Sequence, residues 1–200
     1  MSAMERYDNF IDGKWQAPAG GRHYPIFNPA KPSESLGEFP LSSAGDVDAA
    51  VSAAAGAASS WAAVPGPQRG QMLSRFAQLL DDNKAELARI VTLEMGKPLG
   101  EAAGEVGRAA TEARFAAGEA SRLDGHTFVS ERPGFTCSTV LEPLGVVAAI
   151  SPWNFPVVSP VRKIAPALAC GDTVVFKPAS ITPWSAVYIV KLLEKAGFPA

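Results

Sequence analysis

The sequence has 200 residues, of which 47% are hydrophobic and 19% are charged, and its formal net charge is −2. At roughly 150 residues per domain, this length excludes a multidomain protein and leaves room for one core with an appendage. A nearly neutral chain without blocks of like charge is not typical of proteins that bind nucleic acid or an anionic membrane, so neither partner is expected.

The two cysteines, Cys137 and Cys170, are too few for a disulfide scaffold, and they lack the CxxC or Cys/His spacing of a zinc site. We therefore predict a reducing, cytoplasmic setting, no metal site, and two small buried thiols. Charged residues stand where a signal peptide has its apolar core, so no export signal is predicted; these residues are Glu5, Arg6 and Asp8.

Short extended segments are predicted at the start of the chain. Asp12 and Gly13 form a turn signal between apolar residues, which indicates an edge hairpin. An extended arm is expected to follow, because four prolines exclude a long helix: Pro25, Pro29, Pro32 and Pro40.

From Asp46 the apolar residues recur at steps of three and four, which predicts a helix that ends at Pro65–Pro67. A second helical stretch runs from Gln68 to Met95, with a break expected at Asp81–Asn83 and a stop at Gly96. A third helix, at 99–123, has a thin face of alanine and valine, so close packing through small residues is expected.

A β-hairpin is predicted beyond Gly125, where Thr127–Val129 and Phe135–Leu141 flank a Pro-Gly turn. The last quarter of the chain then alternates strand, helix, strand and helix at Val146–Ile150, Val157–Ala169, Thr173–Phe176 and Pro183–Lys195. This βαβα order predicts parallel strand pairing in an α/β fold.

Ligands bind beyond the carboxyl ends of strands in open parallel sheets, so the two segments that follow the predicted strands are the candidate site. In the first, prolines on both sides of Trp153 and Asn154 restrict the backbone, and a rigidly held amide is suited to donating to an oxygen that gains charge. In the second, Lys177 can contact a ribose or phosphate. The residues alone favour structural roles over functional ones, with Trp153 as a core aromatic, Asn154 as a turn residue and Lys177 as a solvated strand end.

At these positions the chain resembles the aldehyde dehydrogenase superfamily, and its semialdehyde dehydrogenases in particular. The resemblance rests on three motifs in the family's order and spacing, namely Pro152–Pro156, Ile164–Leu168 and Val174–Ala179. Supporting segments lie upstream at Ile11–Trp15, Asn28–Ala30 and Leu93–Pro98, so the resemblance covers nearly the whole chain. It implies a Rossmann-like parallel sheet of the aldehyde dehydrogenase type, here incomplete, with a protruding β-hairpin.

The resemblance also implies roles for individual residues. Asn154 would be the side-chain donor of the oxyanion hole, and Lys177 would hold the adenosine ribose. Ile150, Ser151, Pro152 and Trp153 would line the nicotinamide-ribose and diphosphate side of the cofactor cleft, with Pro178, Ala179 and Ser180 beside Lys177. The implied reaction is oxidation of an aldehyde or semialdehyde to a carboxylic acid through a thioester, with hydride passing to NAD or NADP.

Ser180 differs from the glutamate that many NAD-preferring members of the family carry. A carboxylate would repel the 2′-phosphate of NADP, whereas a hydroxyl beside Lys177 leaves room for it. We therefore expect NADP use, or use of both cofactors. A serine here could equally cap the helix that follows.

The family's nucleophilic cysteine, general-base glutamate and glycine-rich diphosphate segment are expected downstream of these residues, and neither Cys137 nor Cys170 has the Gly-Gln-x-Cys setting of the nucleophile. The isolated 200 residues are therefore expected to be inactive, and the alternative is a fragment that acts at most as a nucleotide-binding or interaction module. The predicted domains are an arm and helical part at 1–124, an oligomerisation hairpin at 125–144, and the βαβα core at 145–200. The expected partners are a small-molecule aldehyde and, for the full-length parent, further copies of itself.

Overall fold

The computed structural model describes residues 5–199, which form an α/β fold. The chain begins with two antiparallel hairpins, β1 (Asn9–Ile11) with β2 (Lys14–Gln16), and β3 (His23–Asn28) with β4 (Lys31–Pro40). Asp12 and Gly13 both have positive φ, at 52° and 70°, as a tight turn between β1 and β2 requires. The predicted edge hairpin is confirmed, and the extended arm is itself a strand pair.

Four helices follow, and their ends lie close to the predicted ones: α1 (Ala44–Ala62), α2 (Gly66–Asp82), α3 (Lys84–Met95) and α4 (Leu99–Glu119). Asp46 fixes the start of α1 by accepting hydrogen bonds from the backbone nitrogens of Ser43 (2.7 Å) and Ala19 (2.8 Å). The predicted break between α2 and α3 is at Asn83, and Gly96 ends α3 in the left-handed conformation, with φ of 79°.

Helices α2 and α4 approach each other closely through small residues, as the alanine face of α4 predicts. A Cβ atom added to Gly70 would lie 2.6 Å from the carbonyl oxygen of Ala117, and one added to Gly66 would lie 2.1 Å from that of Ala120. Both distances are too short for non-bonded atoms, so glycine is needed at these two positions.

The hairpin consists of β5 (Thr127–Val129) and β6 (Thr136–Ser138), which pair antiparallel. The second strand is shorter than predicted. All six strand residues are exposed, and further exposed apolar side chains flank them, including Phe135 and Leu141. The predicted role of this segment in assembly stays a prediction.

The last quarter has the predicted βαβα order, with β7 (Val146–Ile150), α5 (Val158–Cys170), β8 (Thr173–Lys177) and α6 (Pro183–Ala196). β7 and β8 pair in parallel, with Val146 opposite Thr173 and Ile150 opposite Lys177. The main core joins α2, α3 and α4 to α5 and α6 in one buried cluster that includes Phe76, Val106, Val161 and Ile189.

The α/β class and the parallel pairing are thus confirmed, whereas the division into 1–124, 125–144 and 145–200 stays a prediction. Within residues 5–199, no single helix is both long and apolar enough to cross a bilayer; α1 and α2 pass that test only as a pair, with a bend of 120° between them.

Candidate functional site

The carboxyl ends of β7 and β8 lie side by side. Ile150 is opposite Lys177 in the strand register, and the backbone nitrogen of Ser151 donates to the carbonyl oxygen of Lys177 at 3.2 Å. The segments that leave the two strands therefore begin at the same edge of the sheet. This is the edge at which parallel sheets bind ligands.

The first segment presents its side chains to solvent. Ser151 is buried, but Pro152 and Asn154 are exposed, as are Ile150 and Trp153, at 63% and 53%. The interpretation of Trp153 as a core aromatic is therefore wrong, because the ring lies beyond the end of β7, where no helix of the described chain covers it.

A buried ion pair holds the backbone of this segment in place. Lys97, just after α3, donates to the carbonyl oxygen of Asn154 at 3.0 Å and also to the carboxylate of Glu105 on α4. The other carboxylate oxygen of Glu105 accepts from the backbone nitrogens of Val157 (2.8 Å) and Val158 (3.1 Å), at the start of α5. The ion pair thus connects the Asn154 segment to two helices.

The second segment carries a cation at the strand end. Lys177 and Ser180 are exposed, and Pro178 and Ala179 are half-buried between them. The carbonyl oxygen of Ser180 accepts a hydrogen bond from the Tyr24 hydroxyl at 2.8 Å, and burial raises the pKa of Tyr24, which keeps this hydroxyl protonated. Thr182, not Ser180, precedes the first turn of α6, so Ser180 is not the helix cap.

Helix α6 is held in place by Glu94 of α3. Its carboxylate accepts from the backbone nitrogens of Trp184 (2.8 Å) and Ser185 (3.1 Å). Glu94 is 4% exposed, and this burial raises its pKa to about 7 in spite of the hydrogen bonds.

The residues at the strand edge fit a dinucleotide. Exposed apolar side chains such as Ile150 and Trp153 offer surface against which a nucleotide ring can pack, and Lys177 offers a cation for a ribose or phosphate. Two cavities, of about 630 Å³ beside β2 and α1 and about 330 Å³ beside Cys170, are lined by neither Asn154 nor Lys177. We locate the candidate site by the strand ends and not by these cavities.

Neither cysteine is buried, so that prediction is wrong. Cys137 is exposed because the hairpin strands have no covering element in the described chain, and Cys170 is exposed as the last residue of α5. Partial desolvation nevertheless raises the pKa of the Cys170 thiol, which is the opposite of what a nucleophilic cysteine needs. Across residues 5–199 there is no group of three or more His, Cys, Asp or Glu side chains that could hold a metal ion.

Comparison with known proteins identifies the family. Residues 15–200 match the sequence profile described as the aldehyde dehydrogenase family. The chain belongs to the aldehyde dehydrogenase family. It is 42% identical over 191 residues to the alpha-ketoglutarate semialdehyde dehydrogenase of Haloferax volcanii, and this match covers 96% of the chain and 40% of the relative.

Two solved structures extend the aldehyde dehydrogenase likeness to the fold. An NADP-dependent enzyme of E. coli superimposes with a TM-score of 0.95 at 38% sequence identity, and the match covers 100% of this chain and 41% of the E. coli chain. An NAD-dependent aldehyde dehydrogenase of Sinorhizobium meliloti superimposes with a TM-score of 0.94 at 35% sequence identity, and the match covers 98% of this chain and 39% of the S. meliloti chain. The Rossmann-like fold class is thereby confirmed, and the chain spans about 40% of the length of these relatives.

Sequence reasoning missed three residues that shape the site, namely Glu94, Glu105 and Tyr24. Glu105 lies within the third predicted helix, and its contact with the start of α5 spans 52 residues of sequence. For Lys97, the sequence contains one weak indication of a role near the site, because this residue belongs to the Leu93–Pro98 segment that supports the family resemblance.

Proposed function

We propose that this chain is the amino-terminal, cofactor-binding part of an enzyme that oxidises an aldehyde or semialdehyde to a carboxylic acid with NAD(P). The observation that carries the proposal is the placement of the Asn154 segment and of Lys177 at the ends of two neighbouring parallel strands. Membership of the aldehyde dehydrogenase family supports it, and the name of the Haloferax volcanii relative supports a semialdehyde as substrate.

In this proposal the side-chain amide of Asn154 donates a hydrogen bond to the substrate oxygen as it gains negative charge. A preorganised donor of this kind is typically worth a factor of about 10² to 10³ in kcat. Ile150, Ser151, Pro152 and Trp153 contact the nicotinamide side of the dinucleotide. The bound cofactor supplies the hydride acceptor.

Lys177, Pro178, Ala179 and Ser180 hold the adenosine side of the cofactor. Lys177 is exposed at the end of β8, where its ammonium group can donate to ribose hydroxyls or to a phosphate. Ser180 adds no charge, so nothing on its side chain opposes a 2′-phosphate. We therefore propose NADP, or both cofactors, over a strict preference for NAD. The two structural relatives do not decide this, because one is named for NADP and the other for NAD.

The 200 residues by themselves are proposed to bind nucleotide without oxidising aldehydes. Both cysteines of the sequence lie outside the strand-end segments, and the pKa of Cys170 is raised. The exposed apolar side chains of the hairpin support association with further copies of the chain, in a homo-oligomer. The cytoplasmic location predicted from the sequence belongs to the same proposal.

Calorimetric titration of NADP and NAD into the 200-residue chain tests the cofactor assignment. We expect binding of NADP at least as tight as that of NAD, a marked loss of affinity in Lys177→Met, and unchanged affinity in the matched surface variant Lys163→Met, since Lys163 is exposed on α5. A clear preference for NAD would overturn the interpretation of Ser180. Equal losses in both lysine variants would overturn the assignment of Lys177.

Reading the coding frame beyond codon 200 tests the enzymatic part of the proposal. We expect a continuation into a glycine-rich turn, a Glu-Leu-Gly-Gly segment and a Gly-Gln-x-Cys segment. An immediate stop codon would contradict the assignment of an oxidation reaction to this chain, and only nucleotide binding or association would then remain.

A further inference from the structure

Lys97 and Glu105 form a buried ion pair that contacts the segment carrying Asn154. The side chains of Lys97 and Glu105 are 9% and 1% exposed. A buried ion pair is weak evidence of stabilisation, because desolvation of both charges offsets their attraction. The contacts that this pair makes to its surroundings therefore need an explanation beyond stability.

Those contacts converge on the backbone from Asn154 to Val158. Lys97 Nζ donates to the carbonyl oxygen of Asn154 at 3.0 Å and lies 4.2 Å from the centroid of the Phe155 ring. Glu105 accepts from the nitrogens of Val157 and Val158 at 2.8 Å and 3.1 Å. The segment is thus held at both of its ends by one pair of charges.

Local structure directs both side chains to this place. Gly96 ends α3 with a positive φ of 79°, and the chain then turns so that Lys97 is buried ahead of α4. Glu105 lies on the buried face of α4, which packs against α5. The positions of Lys97 and Glu105 are therefore set by α3 and α4 and not by the Asn154 segment.

The side-chain amide of Asn154 is exposed and makes no hydrogen bond to any of residues 5–199. No neighbour therefore orients the amide directly. Its position depends on the backbone that carries it, and the ion pair holds that backbone.

We propose that Lys97 and Glu105 are positioning residues for Asn154, and that they hold its amide where the substrate oxygen is to be bound. The inference rests on the proposed function, in which this amide is the oxyanion donor. A displacement of about 1 Å can cost about 10² in rate, so a donor without direct support needs a rigid backbone.

Nuclear magnetic resonance of the 200-residue chain tests the proposal through the side-chain amide signal of Asn154, assigned by its absence in Asn154→Ala. We expect Lys97→Met and Glu105→Gln to shift and broaden this signal. Lys97→Arg should restore it at least in part, because a guanidinium can donate to the same two acceptors. The amide of Asn83, whose side chain bonds Leu79 and Tyr188, is the internal control and should not change.

An unchanged Asn154 signal in either charge-removing variant would overturn the proposal, as would a Lys97→Arg spectrum identical to that of Lys97→Met. Glu105→Gln preserves side-chain shape, so it keeps the test available if Lys97→Met does not fold. The proposed function is judged separately by the NADP titration. If the unmodified chain does not bind NADP, the proposed function is contradicted, but the effect of the variants on the Asn154 amide signal still stands.

Discussion

The carboxylate of Glu94 lies 2.8 Å from the backbone nitrogen of Trp184, which is ninety residues later in the sequence. This contact fixes the first turn of α6 against α3. It is made by a carboxyl group that is almost fully buried, and burial raises the pKa of Glu94 from its ordinary value of 4.5 to about 7.

Stability is predicted to depend on pH through Glu94. Because its pKa is higher in the folded protein than in the unfolded chain, folding favours the protonated form. The contribution of this group to the free energy of unfolding is complete below pH 4.5 and is lost as pH rises through about 7. Urea unfolding between pH 4.5 and 8 should show this loss, and Glu94→Gln should remove it. A pH dependence that is identical in Glu94→Gln would contradict the assignment.

The ion pair of Lys97 and Glu105 is predicted to be strongly coupled in unfolding. Removal of either partner leaves a buried charge without compensation, which typically costs about 3 to 5 kcal/mol. The double variant Lys97→Met/Glu105→Gln should lose less than the sum of the two single variants. Urea unfolding of all four proteins measures the coupling, and additive losses would show that the two charges act independently.

The α2 and α4 contact predicts opposite effects of glycine-to-alanine substitution at two positions. Gly70→Ala places a methyl group 2.6 Å from the Ala117 carbonyl oxygen and should cost about 1 to 3 kcal/mol of stability. Gly104→Ala is the matched control, because nothing lies within 4 Å of its added Cβ atom. It should gain about 0.5 to 1 kcal/mol from helix propensity. Thermal unfolding distinguishes the two, and equal effects would exclude close packing at Gly70.

Ser180→Glu is predicted to shift cofactor preference from NADP towards NAD. A carboxylate beside the 2′-phosphate adds like-charge repulsion, which is commonly worth several kcal/mol when the charges are close, so NADP affinity should fall by at least about tenfold. Ser180→Gln has nearly the same size without the charge and should retain NADP binding. Calorimetry on both variants is the measurement. Similar losses in both would point to steric exclusion instead of charge.

Phe135→Asp is predicted to weaken assembly, because it places a charge within the exposed apolar surface of the hairpin. Phe115→Asp is a close control, since Phe115 of α4 is 67% exposed and Phe135 is 63% exposed. Sedimentation velocity should show smaller species for Phe135→Asp alone. Unchanged sedimentation of that variant would count against an assembly role for the hairpin.

The sequence predicts those parts of the molecule that depend on local patterns. The bounds of β7 and the stop at Gly96 follow from apolar runs and from a residue that tolerates positive φ. The exposure of Trp153 could not be predicted in this way, because an aromatic residue after a strand is compatible with a core or with a surface. Only the tertiary arrangement shows that no helix of the described chain covers it.

The contacts of the charged residues around the site likewise could not be predicted from local sequence patterns. Lys97 and Glu105 are eight residues apart, but their shared contacts with the segment from Asn154 to Val158 are visible only in the tertiary structure. The Glu94 contact with α6 likewise depends on how α3 and α6 pack. Periodicity identifies faces of helices, and it does not identify which carboxylate meets which backbone amide.

Both helices that follow the parallel strands begin at a carboxylate supplied by this chain, Glu105 for α5 and Glu94 for α6. The positive end of a helix dipole commonly attracts phosphate in dinucleotide-binding folds, but here a carboxyl group already accepts hydrogen bonds from the first backbone nitrogens of each helix. A phosphate near Ser180 must therefore be attracted by the exposed side chain of Lys177 and not by the start of a helix. Such attraction is screened by salt, so tight nucleotide binding at this edge requires low ionic strength or further groups that donate to the phosphates.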